Sequence, residues 1–131
     1  VALHWVDRLV KELGVRIIAL SDTVGVAAPA DITGMFNALI PALPDVEFGA
    51  HLHCRPDNWR MKTDAAWNAG CRRFDGAIKG FGGCPMAEDD LVGNLQMEWF
   101  VDGMEERGVQ TGLDREQLMK CVEMVARVFP L

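Results

Sequence analysis

Three short segments with extended-chain character, and the intervals between them, constrain this sequence most. Val15–Leu20, Val46–His53 and Arg73–Ile78 carry β-branched or aromatic residues and are flanked by Gly, Pro or polar turn residues, which is how strands read. Counted from Arg16, Glu47 and Arg73, they start 31 and 26 residues apart. Each gap holds room for a helix, and each contains helical periodicity. Strands alternating with helices at this distance build right-handed crossovers and a parallel sheet.

The helical patterns are specific. Leu3, Val6, Leu9, Val10 and Leu13 recur at helical spacing between Ala2 and Leu13, with His4, Asp7, Arg8, Lys11 and Glu12 opposite, and Gly14 closes the segment. Val15–Leu20 shows no polar alternation and is expected to be buried on both faces. Pro29 suits the first turn of a second helix, whose stripe is Ile32, Met35, Phe36, Leu39, Ile40 and Leu43 and which Pro41 and Pro44 end. A third helix is predicted from Asp57 to Ala69. The third strand leads into a loop running from Lys79 to Gly93. One helix then carries Leu95, Met97, Phe100, Val101 and Met104, with Gly103 a weak point. Asp114 caps a last helix, with Gln117 three residues on, and this helix is expected to bury Leu118, Val122, Val125 and Phe129. Trp5, Trp59, Trp67 and Trp99 all lie on predicted helices and are expected to pack. With no linker and no internal repeat, residues 1–131 read as one α/β unit.

Composition narrows the classes. The chain is 50% hydrophobic and 24% charged, which suits a folded domain. A formal charge of −6 argues against a nucleic-acid backbone as partner, since such partners need a basic face. No apolar run approaches the roughly 20 residues that span a bilayer. Cys54, Cys71, Cys84 and Cys121 form no C-x-x-C pair and are too sparse for a disulfide scaffold, so free thiols in a reducing cytoplasm or organelle matrix are expected. The sequence opens at Val1 inside a helical pattern, without an initiator Met, from which an N-terminal truncation is expected.

Sites on parallel α/β sheets gather at the C-terminal ends of the strands. Those ends here are Ser21-Asp22-Thr23, His51-Leu52-His53 and the segment from Lys79 to Asn94, all polar. The alternation of Val46–His53 puts Val46, Phe48, Ala50 and Leu52 on one face and Glu47, Gly49, His51 and His53 on the other. His51 and His53 thus sit about 7 Å apart along the strand and can share a divalent cation such as Mn²⁺, Mg²⁺, Fe²⁺ or Zn²⁺; the alternative is a chance pair bonded to loop backbone. Asp22 reads as an acid or base, as support for a metal ligand, or as a cap on the following turn. Cys84, behind Gly80-Phe81-Gly82-Gly83, reads as a gated proton donor or nucleophile, or as an incidental thiol. Asn94 reads as a helix N-cap, and Glu98 as a surface or supporting group.

In order, Ser21-Asp22-Thr23-Val24-Gly25, His51-Leu52-His53, Gly80-Phe81-Gly82-Gly83-Cys84-Pro85, Gly93-Asn94 and Gly108-Val109-Gln110-Thr111-Gly112 resemble the second half of the 3-hydroxy-3-methylglutaryl-CoA lyase family. The resemblance implies the C-terminal portion of a (β/α)₈ TIM barrel, three parallel strands with flanking helices. It implies that His51, His53 and Asn94 bind a divalent cation, Mg²⁺ or Mn²⁺, that Cys84 assists proton transfer and that Asp22 acts in acid–base chemistry. The implied reaction cleaves an acyl-CoA thioester to acetyl-CoA and acetoacetate, with no nucleic-acid or membrane partner. Related aldolases, Claisen-type acyl-CoA synthases and an inactive oligomerising half-barrel are the alternatives. This sequence departs from the family at Cys54-Arg55-Pro56 after the H-x-H pair, in a longer gap between Cys84 and Asn94, and in lacking the first barrel strand with its Asp ligand and Arg. The 131 residues alone are therefore expected to be inactive and to self-associate as a homo-oligomer.

Overall fold

A computed structural model describes residues 1–83 and 92–129. The elements follow in the order α1 (Ala2–Leu13), β1 (Ile17–Asp22), α2 (Pro29–Ala42), β2 (Glu47–Leu52), α3 (Trp59–Asn68), β3 (Arg73–Asp75), a 3-10 turn (Ile78–Gly80), α4 (Met97–Glu106) and α5 (Arg115–Val128). The three strands are parallel and lie side by side in chain order. In register, Ser21 faces His51 across β1 and β2, and His51 faces Asp75 across β2 and β3.

The alternation of β2 sorts its faces as expected. Phe48, Ala50 and Leu52 are buried beneath the helices, joined there by Ile18, Phe36, Leu39 and Ala66. Burying a side chain such as Phe36 or Leu39 stabilises a fold by about 1.5–3 kcal/mol. The opposite face carries Glu47, Gly49 and His51 beside Arg73 and Asp75, where Arg73 pairs with Glu47 at 3.5 Å. On β2 and β3, charged and polar groups therefore gather on one face and apolar groups on the other.

Four expectations need correction. β1 is not buried on both faces: Ile18 is buried, but Ile17 is 56% exposed, because β1 is an edge strand with one face uncovered. β3 stops at Asp75 rather than Ile78. A Cβ on Gly76 would collide with the Leu95 carbonyl, and Ala77 N–H donates to that same carbonyl, so the returning segment displaces the sheet ladder there. No residue of α5 is buried, and Phe129 is exposed; the helix packs against the 3-10 turn and Phe129 stacks on Phe81 at 5.3 Å instead of entering the core. Trp5 is 53% exposed, as α1 anchors through Val6 while its ends, Leu3 and Leu13, face outward. Trp59 and Trp67 do pack against the core. Gly103, the weak point of α4, is where Trp59 closes on that helix: a Cβ there would lie 3.0 Å from the indole.

Candidate functional site

β1 and β2 deliver Asp22, His51 and His53 to the same end of the sheet. The two imidazole rings are edge to face with centroids 5.4 Å apart, so they are neighbours and do not point to opposite sides. His51 is half-buried, whereas His53 is only 6% exposed. His53 Nδ1 lies 3.0 Å from the Asp22 carbonyl oxygen. A carbonyl only accepts, so Nδ1 carries a proton, and in the neutral ring Nε2 is the nitrogen with the lone pair. A hydrogen bond of this kind on the far nitrogen commonly fixes the tautomer of a metal-binding histidine.

The chain after β3 turns back and closes on this end. Leu95 N–H donates to the Leu52 carbonyl at 2.9 Å, Cys54 N–H donates to the Gly93 carbonyl at 3.0 Å, and His53 and Asn94 form an antiparallel bridge. Asn94 N–H is shared between the Gly80 and Gly82 carbonyls, at 3.1 and 3.3 Å. Two glycines permit the approach. Gly80 has φ 63°, and a Cβ there would meet the Asn94 carbonyl at 2.8 Å; Gly82 has φ 90°, and a Cβ there would lie 2.8 Å from Asn94 Nδ2. Asn94 is not an N-cap, since α4 starts later and its N-cap is Gln96. Its Nδ2 donates to the Phe81 carbonyl at 2.8 Å, while its Oδ1 is buried with no hydrogen-bond partner among the described residues.

Asp22 is held from three directions. Its Oδ1 accepts from Val26 N–H at 3.0 Å and Ala27 N–H at 3.2 Å, so it caps the turn after β1. Its Oδ2 accepts from Lys62 Nζ at 2.6 Å, in a pair whose side chains are 4% and 6% exposed. The Lys62 ammonium also donates to the carbonyls of Gly25 at 2.8 Å and His53 at 3.2 Å. Sequence reasoning missed Lys62. Its signal is a lysine four residues before Ala66, on the buried small-residue face of α3. Beside it, burial pushes the Cys54 thiol up to about 11, with the Lys62 charge opposing the rise and the Asp22 charge adding to it. Glu98 holds the loop from beneath, accepting from Lys79 N–H at 3.0 Å, where Lys79 has φ 56°.

Two imidazole nitrogens and an amide oxygen make a mixed donor set of the kind that borderline and hard divalent cations accept. The orphaned, buried Asn94 Oδ1 fits such a role, because leaving a buried acceptor unpaired is otherwise unfavourable by about 1–3 kcal/mol. Among the described residues, no three His, Cys, Asp or Glu side chains gather as a cation site. Cys84 lies outside the described residues. No helix among the described residues is long and apolar enough to cross a membrane.

Residues 2–125 match the sequence family described as HMGL-like. The (R)-citramalyl-CoA lyase of Chloroflexus aurantiacus is 36% identical over 126 residues, which are 96% of this chain and 38% of that protein. The hydroxymethylglutaryl-CoA lyase of Pseudomonas mevalonii is 33% identical over 118 residues, 88% of this chain and 38% of that protein. An HMG-CoA lyase structure from Acinetobacter baumannii, in complex with coenzyme A and 3-methylmalate, superposes with a TM-score of 0.84 at 28% identity, over 96% of this chain and 41% of that one. The three strands and their helices are thus part of a (β/α)₈ barrel, and the chain spans about two-fifths of the length of the relatives it matches.

Proposed function

Given that the chain belongs to the HMGL-like family, we propose that it forms the cation-binding part of a carbon–carbon lyase acting on a 3-hydroxyacyl-CoA thioester. The observation that carries this reading is the buried Asn94 Oδ1, without a partner among the described residues, on a residue bridged by backbone to His53, whose ring neighbours that of His51. His51, His53 and Asn94 would hold Mg²⁺ or Mn²⁺. When bound, the cation supplies Lewis acidity that lowers the pKa of the substrate hydroxyl.

The rest follows from the chain's own groups and from the reaction's balance. Loss of the hydroxyl proton to a base lets the bond between C2 and C3 break. C3 becomes a carbonyl, and the electron pair passes to the thioester enolate, which takes a proton at C2. Cys84, on its glycine-rich loop, is assigned that proton by resemblance. Asp22 enters chiefly as a positioning residue. Its two oxygens already accept two N–H groups and the Lys62 ammonium, and a part as base would require Lys62 to release it. His53 stays oriented through Asp22, with Nδ1 donating and Nε2 free to ligate.

The substrate read from the sequence is 3-hydroxy-3-methylglutaryl-CoA, giving acetyl-CoA and acetoacetate. A second reading, citramalyl-CoA, is favoured by the 36% identity to the Chloroflexus aurantiacus lyase. Release of acetyl-CoA from each thioester, measured with Mn²⁺ on a protein that carries this chain within a full barrel, separates the two. Faster cleavage of either thioester supports the lyase, and cleavage of neither overturns it. The chain alone is expected to release none, because the oxyanion-stabilising groups expected from the first strand lie outside it.

A further inference from the structure

Lys62 is 3% exposed, and the three donors of its ammonium meet three acceptors from the ends of two strands: Asp22 Oδ2, the Gly25 carbonyl and the His53 carbonyl. A buried ion pair is an unfavourable way to fill a helix–sheet contact, since a well-packed apolar pair of the same volume is often as stable or more so. The arrangement therefore calls for a role beyond packing. We propose that Lys62 is a positioning residue for His53, fixing the ring so that Nε2 remains the lone-pair nitrogen at the strand mouth. The inference rests on the cation-site reading given above.

Two routes connect the residues. Through the carboxylate, Lys62 restrains Asp22, whose carbonyl accepts from His53 Nδ1 at 3.0 Å. Directly, Lys62 donates to the His53 carbonyl at 3.2 Å. Both the ring and the backbone of His53 are thus tied to a single ammonium on α3. With Lys62 removed, the Asp22 side chain, the Gly25 carbonyl and the His53 carbonyl all lose the ammonium that holds them together, whether or not Asp22 keeps its charge; a remaining carboxylate is also left buried without its partner. The Asp22 carbonyl then no longer has a fixed position, and the His53 ring loses the acceptor that selects its tautomer.

The test separates positioning from mere stabilisation. Lys62→Met leaves a buried carboxylate and risks unfolding. Lys62→Met/Asp22→Asn removes both charges while keeping an Oδ1 acceptor for Val26 and Ala27. Histidine-labelled ¹⁵N spectra of the cation-free chain at fixed pH read the tautomer, and Co²⁺ alone serves as the binding probe. The double variant is expected to fold with a melting temperature close to that of the unaltered chain. Its His53 signals should move from the Nδ1–H form toward a mixture, and its Co²⁺ dissociation constant should rise by about 10–100-fold, as for lost supporting contacts at metal sites. A folded double variant that keeps the Nδ1–H form overturns the proposal. A chain that binds no Co²⁺, but whose His53 tautomer still shifts in the double variant, overturns the cation-site reading while upholding Lys62 as the group that orients the ring.

Discussion

His53 Nδ1 donates to the backbone carbonyl of Asp22 across 3.0 Å, joining the last turn of one strand to the imidazole at the end of the next. This bond leaves one ring nitrogen of His53 available and points it away from Asp22. The ring of His51 neighbours it, with centroids 5.4 Å apart, and Asn94 Oδ1, without a partner among the described residues, would be the third donor of the proposed set.

Asn94 offers the sharpest single substitution. Asn94→Ala removes both the candidate ligand oxygen and the Nδ2 bond to the Phe81 carbonyl. The lost hydrogen bond is expected to lower stability by about 1 kcal/mol. Mn²⁺ affinity is expected to fall by about tenfold or more, on the scale of lost metal-site contacts. Calorimetric titration with Mn²⁺, paired with thermal melts, checks both. Unchanged affinity in a folded variant would remove Asn94 from the site.

Gly82 supports Asn94 from the loop. With φ at 90° and a built Cβ only 2.8 Å from Asn94 Nδ2, any side chain there meets both backbone strain and a clash. Gly82→Ala is expected to be less stable by about 1–3 kcal/mol, with Asn94 displaced and Mn²⁺ binding weakened alongside it. Urea unfolding together with the same titration measures the two effects. Gly108 is the control: its φ is 78°, but no atom lies within 4 Å of a built Cβ, so Gly108→Ala should lower stability without touching cation binding.

The thiols give a pH signature. Cys54 is raised to about 11 chiefly by burial, so its folded pKa exceeds its unfolded one. Its contribution to stability is therefore intact below the ordinary thiol range, near 8.5, and is lost as pH climbs toward 11. Denaturant unfolding between pH 8 and 11 should show stability falling, and Cys54→Ala should flatten that fall. At pH 8 the exposed Cys121 should alkylate readily, while the buried Cys54 and Cys71 react only after unfolding.

Much of the scaffold was readable because its signals are local. The strict alternation from Val46 to Leu52 fixed which face of β2 is buried, and Pro29 and Gly14 mark a helix start and a helix end where the structure has them. Errors arose where a pattern speaks only of potential. The apolar stripe on α5 would suit a core, yet that helix rests on the 3-10 turn and is tied to α4 through Arg115, which pairs with Asp102 and Glu105, and its stripe stays half-exposed. β1 looks fully buried by composition, but an edge position leaves Ile17 open. At the site, the histidine pair was visible from its period of two. Lys62 was not, since its partner is 40 residues away in sequence, and its place four residues before Ala66 on the small-residue face of α3 points to burial but not to Asp22. Asn94 was seen, but its local reading as an N-cap was displaced by a fold-back that depends on Gly80 and Gly82.

Paramagnetic broadening by Mn²⁺ tests the central claim most directly. At substoichiometric Mn²⁺, the signals of His51, His53 and Asn94 should disappear first, those of α5 should persist, and His51→Ala/His53→Ala should abolish the selectivity. Uniform broadening along the chain, or the same pattern in the double variant, would contradict a cation site at this end of the sheet.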